Sequence, residues 1–192
     1  MTAKSKLAFE LLEKELELIS KEEQSSYLGG TGSTGPGPNC SLSSAGASFI
    51  KTAEGGFYGT AYNDGAGYMT IGYGHKLTSQ EISSGTYASG ITQQQAHALF
   101  MSDAQNAINA VNSQVTVSLT QNQFDALVSF VYNTGGGAFG NSTLLSKLNS
   151  GDYSGAAAQM DRWVYASGGV VNGLVNRRNQ EQDLFSNGDY QY

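Results

Sequence analysis

One segment of this chain has no helical solution. Residues 54–75, EGGFYGTAYNDGAGYMTIGYGH, hold seven glycines and four tyrosines, and each glycine disfavours helix by about 1 kcal/mol relative to alanine. Tyrosine and threonine fit a pleated surface instead, and Asn63-Asp64-Gly65 and Gly67 are turn signals. Phe57–His75 therefore reads as a small antiparallel sheet. On both sides the pattern is helical. Ala45–Glu54 puts Phe49, Ile50 and Ala53 on one side, and Ile91-Thr92 opens a second helix with Thr92 as N-cap for Ala96, Leu99 and Phe100. Thr120–Asn133 carries Phe124, Leu127, Val128 and Val131 on one face, and Ser142–Leu148, Ser154–Ala166 and Leu174–Phe185 complete the set. One small sheet followed by a run of helices predicts an α+β domain.

The first 44 residues differ in character. Residues 1–28 place Leu7, Leu11, Leu12, Leu16 and Ile19 at helical spacing among four Lys and six Glu, the pattern of an amphipathic helix. Gly29-Gly30 opens a Gly/Ser/Pro stretch without periodicity, read as a linker to residue 44. The expected organisation is residues 1–30, 31–44 and 45–192. ISKEEQSSYLGG (19–30) resembles the double-glycine leader of peptides exported by peptidase-containing ABC transporters. Ile19, Glu23, Tyr27 and Gly29-Gly30 occupy that pattern's positions, whereas Gln24 stands where an apolar residue is usual. The resemblance implies an exporter as partner, a cut after Gly30 and an extracytoplasmic product.

Charge and cysteine usage exclude several classes. A net charge of −6 speaks against nucleic-acid binding, which calls for a basic face. It also removes steering toward an anionic wall, so recognition has to rest on a groove. The one cysteine, Cys40, has no internal disulfide partner and reads as a free thiol. No apolar run reaches the roughly 18 residues of a membrane span, and no secretory signal core stands at the N-terminus. The expected state is a monomer without stable membrane insertion.

The chemistry sits in the sheet segment. Glu54 ends a helix and Asp64 lies in a turn ten residues later. Glycoside hydrolysis needs such asymmetry, with one carboxyl protonated to donate to the leaving oxygen and the other ionised to hold water or a developing cation. A Glu against apolar neighbours and an Asp in a wet turn would divide those roles. Spacing alone does not establish this.

The surrounding residues narrow it. Glu-Gly, then Tyr-x-Asp, then Gly-Tyr-x-Thr-Ile-Gly-Tyr-Gly-His resembles the active-site signature of the phage lysozyme or endolysin family, glycoside hydrolase family 24. QNQFDALVSFVYNTGGGAF (121–139), NSTLLSKLNSGDY (141–153) and RWVYASGGVVNGLVNRR (162–178) resemble further family segments in family order. The resemblance implies a lysozyme-like fold with a sheet lobe, a helical lobe and a cleft between them. It implies Glu54 as general acid, Asp64 as second carboxylate and Thr70 as the hydroxyl that helps place the attacking water. His75 and Asp103 would form a structural pair, and Tyr132 and Asn133 would face the cleft as sugar contacts. Arg177 or Arg178 would reach Glu54, the sequence not saying which. Trp163 reads as core and His97 as a surface residue. The substrate implied is peptidoglycan, cut at the β-1,4 bond between N-acetylmuramic acid and N-acetylglucosamine with inversion. Neither metal nor cofactor is implied, because the two histidines lack an i, i+4 pair.

Three departures stand out. The step from Glu54 to Tyr62 is one residue longer than usual, Asn172 replaces a common proline, and the leader and linker are additions. Alternatives to a hydrolase are a lytic transglycosylase, which the presence of Asp64 and Thr70 opposes, and a catalytically silent wall-binding module, which the intact Glu54 opposes.

Overall fold

The computed structural model describes residues 40–192 except 66 and 167; the leader and most of the linker predicted for residues 1–44 lie outside the described residues. Helix α1 (Ser44–Ala53) starts where the Ser43 hydroxyl accepts the Gly46 N–H at 2.9 Å. It ends at Glu54, its C-cap, because Gly55 and Gly56 turn away with φ of 85° and 88°. Only glycine takes such angles freely. The glutamate is thus presented at a helix end by the two residues that follow it.

The sheet is antiparallel in the order β1-β2-β3, formed by Tyr58–Asn63, Met69–Gly72 and His75–Lys76. Tyr58 faces Gly72 and Tyr62 faces Thr70, with an irregularity in register between them. Four steps on β1 are matched by two on β2, so β1 bulges there. The Tyr58 and Tyr62 rings stand 4.4 Å apart across the bulge.

A short helix α2 (Ser79–Ser84) follows, closed by a reciprocal cap between Thr78 and Glu81. Next is the 22-residue α3 (Gln93–Gln114), where Thr92 and Gln95 exchange hydrogen bonds of 3.2 and 2.8 Å as the N-cap reading requires. α4 (Gln121–Thr134) is the central helix. Phe124 to Val131 are all buried, because α1, α3 and the last helix surround it. Gly135, at φ 88°, breaks it before the short α5 (Gly136–Gly140), and α6 (Thr143–Asn149) follows Ser142, whose hydroxyl caps it.

The helix expected over Ser154–Ala166 is not continuous. α7 spans Tyr153–Ala158, a 3-10 turn takes Met160–Arg162, and β4 (Tyr165–Ala166) pairs with β5 (Gly169–Val170). Trp163 leaves helical geometry (φ −102°, ψ 48°) to set its ring edge-on against Phe130 at 5.3 Å, and Gly168 at φ 86° closes the hairpin. Tertiary packing of one large ring outweighs local helical preference. The last helix, α8 (Asn172–Asn187), brings two arginines and Glu181 inward.

The fold also fixes the chain ahead of α1. Asp125, fully buried on α4, accepts from the Ser43 N–H (3.2 Å) and hydroxyl, from Gln121 (2.9 Å) and from Tyr190 (2.8 Å). Burial raises its carboxyl pKa, and these donors oppose the rise. Asn112 and Gln121 reach the carbonyls of Cys40 and Ser41, and the half-buried Cys40 packs against the core. One buried carboxylate therefore ties the start of α1 to α4 and to the C-terminal segment. It sets the line along which Glu54 is delivered.

Candidate active site

Glu54 is held from two sides. Its Oε1 accepts from Arg177 Nη1 at 2.7 Å. Its Oε2 lies against the backbone of Gly74, where an added Cβ would stand 2.8 Å away. The side chain is 20 % exposed against 5 % for the arginine, so the carboxyl rests on an interior cation and meets solvent on its outer side. The sequence expectation of apolar surroundings for Glu54 is corrected here. Its main neighbour is a guanidinium, and of the two candidate arginines it is Arg177.

Arg177 is itself fixed. Its Nε donates to Glu181 Oε1 (3.1 Å) and its Nη2 to the Ser129 carbonyl (3.3 Å). Glu181 is fully buried and also accepts from the Ser129 hydroxyl at 2.7 Å and from Arg178 Nη2 at 3.1 Å. Arg178 Nε lies 2.8 Å from Glu181 Oε2 as an ionic contact, without the alignment of a hydrogen bond. Its guanidinium also stands 5.0 Å from the Phe130 ring centre. Burial pushes the Glu181 carboxyl up while both guanidiniums and Ser129 pull it down. Arg177 thus bridges the two acids, meeting Glu181 through Nε and Glu54 through Nη1. The Arg177-Arg178-x-x-Glu181 spacing places all three on one helical face. That signal was present in the sequence, but Glu181 was not singled out.

Asp64 opens the hairpin loop between β1 and β2. Its N–H donates to the Tyr68 carbonyl at 3.0 Å, and its Oδ1 accepts the Tyr68 N–H at 3.0 Å. Gly65 N–H meets Asn63 Oδ1 at 2.9 Å. This turn keeps the aspartate half-exposed, as its position in a wet turn predicts. Thr70 lies on β2 and is buried, its hydroxyl making only a long 3.4 Å contact to the Tyr68 carbonyl. Tyr62 stands directly across from Thr70 on β1. Its phenol pKa is raised first by burial, then by Tyr58 and by the charges of Glu54 and Asp64.

The remaining candidates divide. His75 Nδ1 is 2.8 Å from Asp103, as expected, and its Nε2 is 3.3 Å from Glu81, a second acid the sequence reading did not include. The Asp103 hydrogen bond holds the imidazole pKa above its ordinary value against the opposing effect of burial. Tyr132 is mostly packed, with Phe100 at 5.6 Å and its hydroxyl 3.4 Å from the Tyr73 carbonyl. Burial, then the nearby Glu54 charge, drives its phenol pKa up. Asn133 is exposed, but its Oδ1 accepts from Arg178 at 3.1 Å, so part of its capacity is used internally. His97 is exposed and Trp163 half-buried.

Known proteins resemble this chain in sequence and in fold. The phage lysozyme family model matches residues 52–181. An endolysin of Bacillus phage PZA is 46 % identical over 152 residues, covering 77 % of this chain and 55 % of that protein. The chain thus spans about half the length of such curated relatives. Among solved structures, an endolysin from Escherichia coli O157:H7 phage FAHEc1 superposes with a TM-score of 0.70 at 35 % identity, covering 80 % of this chain and 98 % of that one. The muramidase domain of SpmX from Asticaccaulis excentricus gives 0.66 at 38 % identity, covering 77 % and 99 %. The fold is lysozyme-like, a helical body with a small antiparallel sheet, and the chain belongs to the phage lysozyme family.

Proposed function

We propose that this protein is a muramidase that hydrolyses the β-1,4 bond between N-acetylmuramic acid and N-acetylglucosamine in peptidoglycan, with Glu54 as acid. The observation that carries the reading is the placement of Glu54: a helix-terminal carboxyl with one oxygen held by Arg177 and a solvent-facing side. Relatives named as endolysins and a structural neighbour named as a muramidase domain support the substrate.

In the proposed reaction, Glu54 gives its proton to the glycosidic oxygen as the bond to the muramic acid anomeric carbon breaks. Asp64, ionised in its turn, faces the developing oxocarbenium ion and takes a proton from the attacking water. Thr70 would orient that water. The product sugar then carries the inverted configuration, the outcome of a direct water attack with carboxyls roughly 6.5–9.5 Å apart. Arg177 limits the rotation of Glu54, so the acid waits in one orientation. Tyr132 and Asn133 are proposed to border the sugar path, Tyr132 chiefly through packing. His75 and Asp103 act as structure, closing β3 onto α3.

Residues 1–30 are proposed as a double-glycine leader, cut after Gly30 by a peptidase-containing ABC exporter, so that the linker 31–44 and the catalytic domain 45–192 are released together outside the cytoplasm as an antibacterial or wall-remodelling enzyme. Glu54→Gln tests the enzymatic reading. It keeps the side chain's shape and removes the titratable proton. Solubilisation of dye-labelled sacculi should disappear while the melting profile stays cooperative. Retained lysis would remove Glu54 from the mechanism.

A further inference from the structure

Beside the backbone of Glu54 the surface opens into a recess. A groove of ≈ 530 Å³ is lined by Lys51, Thr52, Gly55, Gly56, Tyr73 and Gln93. None of these is assigned a role in the bond-breaking step. Gly55 directly follows Glu54, and Tyr73 directly precedes the Gly74 that touches its Oε2. The groove therefore borders the stretches of backbone that hold the acid, Gly55 and Glu54 having Cα atoms about 3.8 Å apart.

Lys51 supplies its charge. The ammonium lies 2.7 Å from His97 Nδ1, 5.1 Å from the Tyr73 ring centre and 5.2 Å from that of Phe100. Among the described residues no carboxylate lies within 4.0 Å of it, as is also true of Lys76 and Arg162, whereas Lys147 has one and Arg177 two. Burial and the neighbouring ammonium lower the His97 pKa, which keeps the ring neutral and its Nδ1 free to accept. Burial also draws Lys51 below the ordinary lysine range. The groove thus holds a half-buried cation with aromatic faces on one side and no counter-anion. Gln93, donating to the Tyr73 hydroxyl at 3.1 Å, adds an amide and a phenol at the rim. This is the chemistry of a site for a peptide carboxylate.

Resting on the muramidase reading, we propose that the Lys51 groove binds a free carboxylate of the stem peptide carried by the muramic acid next to the bond that Glu54 protonates. Reach favours it, since a stem of three residues spans roughly 10 Å. So does the chain's charge. The chain is acidic at −6 and stays acidic without the four Lys and six Glu of residues 1–30, so an anionic wall repels it, and a local cation beside the acid gives the polymer a defined point of attachment.

The test uses the whole protein and purified sacculi, either untreated or with their free carboxylates converted to amides by carbodiimide and ammonia. Binding is read by sedimentation, independent of turnover. For the wild type, amidation should weaken the apparent Kd about two- to fivefold, the range expected of one partly screened ion pair. Overall charge predicts the opposite sign, because neutralising the wall relieves repulsion. Lys51→Gln should show no weakening on amidation, and Lys51→Arg should restore it. Lys51 also stands in the last turn of α1, and a purely structural role there would lower binding to both sacculi equally. The proposal is overturned if the wild type binds amidated sacculi as well as or better than untreated ones, or if Lys51→Gln is weakened as much as the wild type. Failure of the wild type to release reducing ends from untreated sacculi would count against the hydrolase reading and leave the sedimentation result standing.

Discussion

Replacing Glu181 by glutamine should unfold the candidate site from behind. The carboxylate is fully buried and is shared by Arg177 (3.1 Å), Arg178 (2.8 and 3.1 Å) and Ser129 (2.7 Å). The two arginines are 4 % and 0 % exposed, so solvent screening does not reduce the effect. Removing one partner of a buried ionic group leaves an uncompensated interior charge and costs about 3–5 kcal/mol. Glutamine keeps the volume, so no cavity contributes to the loss. For a domain of this size about 1 kcal/mol moves Tm by roughly 2–4 °C, which predicts a fall of about 6–20 °C in a thermal melt followed by circular dichroism. Asp161→Asn, an exposed acid on the 3-10 turn, should stay within about 0.5 kcal/mol of wild type. A Glu181→Gln melt within 2 °C of wild type would refute the buried-network reasoning.

Other expectations follow from single contacts. Gly46→Ala would place a Cβ 2.5 Å from Asp125 Cγ, so urea unfolding should show a loss of about 1–3 kcal/mol, as for an overpacked core; an unchanged midpoint would mean that Asp125 moves freely. Gly74→Ala meets Glu54 Oε2 at 2.8 Å and strains a φ of 88°. It should cut solubilisation of sacculi more than it lowers the melt, and a loss of stability with full activity would contradict the role of Gly74 in placing the acid. The His75 pKa is raised in the fold by Asp103, so its contribution is complete below the unfolded histidine pKa of about 6.5. That contribution is lost as pH climbs through the higher folded value. The stability gap between wild type and His75→Gln should therefore shrink as pH rises above 6.5, and a gap that widens would reverse the assignment.

Local chemistry made much of this fold legible. The glycines after Glu54 and the Asn-Asp-Gly turn place the sheet, and Thr92 with Gln95 marks a helix start that the structure keeps within a residue. The break after Ala158 was not legible, because the preference of Trp163 for Phe130 depends on a residue 33 positions away. The site divides the same way. Glu54, Asp64 and Thr70 stand in one segment, where local helix-end, turn and strand signals place each on its element. Glu54's partner Arg177 lies 123 residues on, and Ser43, Asp125 and Tyr190 meet across the full domain. Long-range polar groups leave no periodic signature. The Lys51 groove has none either, since its lining comes from the end of α1, the residue after β2 and the start of α3.

The most direct test is the chemistry of the ends made from purified peptidoglycan. Wild-type digests, reduced with borohydride and resolved by mass spectrometry, should carry reduced N-acetylmuramic acid at every new terminus, and Glu54→Gln digests none. Anhydro-muramic ends, reduced N-acetylglucosamine ends, or unchanged products from the Glu54→Gln protein would contradict a water-based cut driven by the helix-terminal acid.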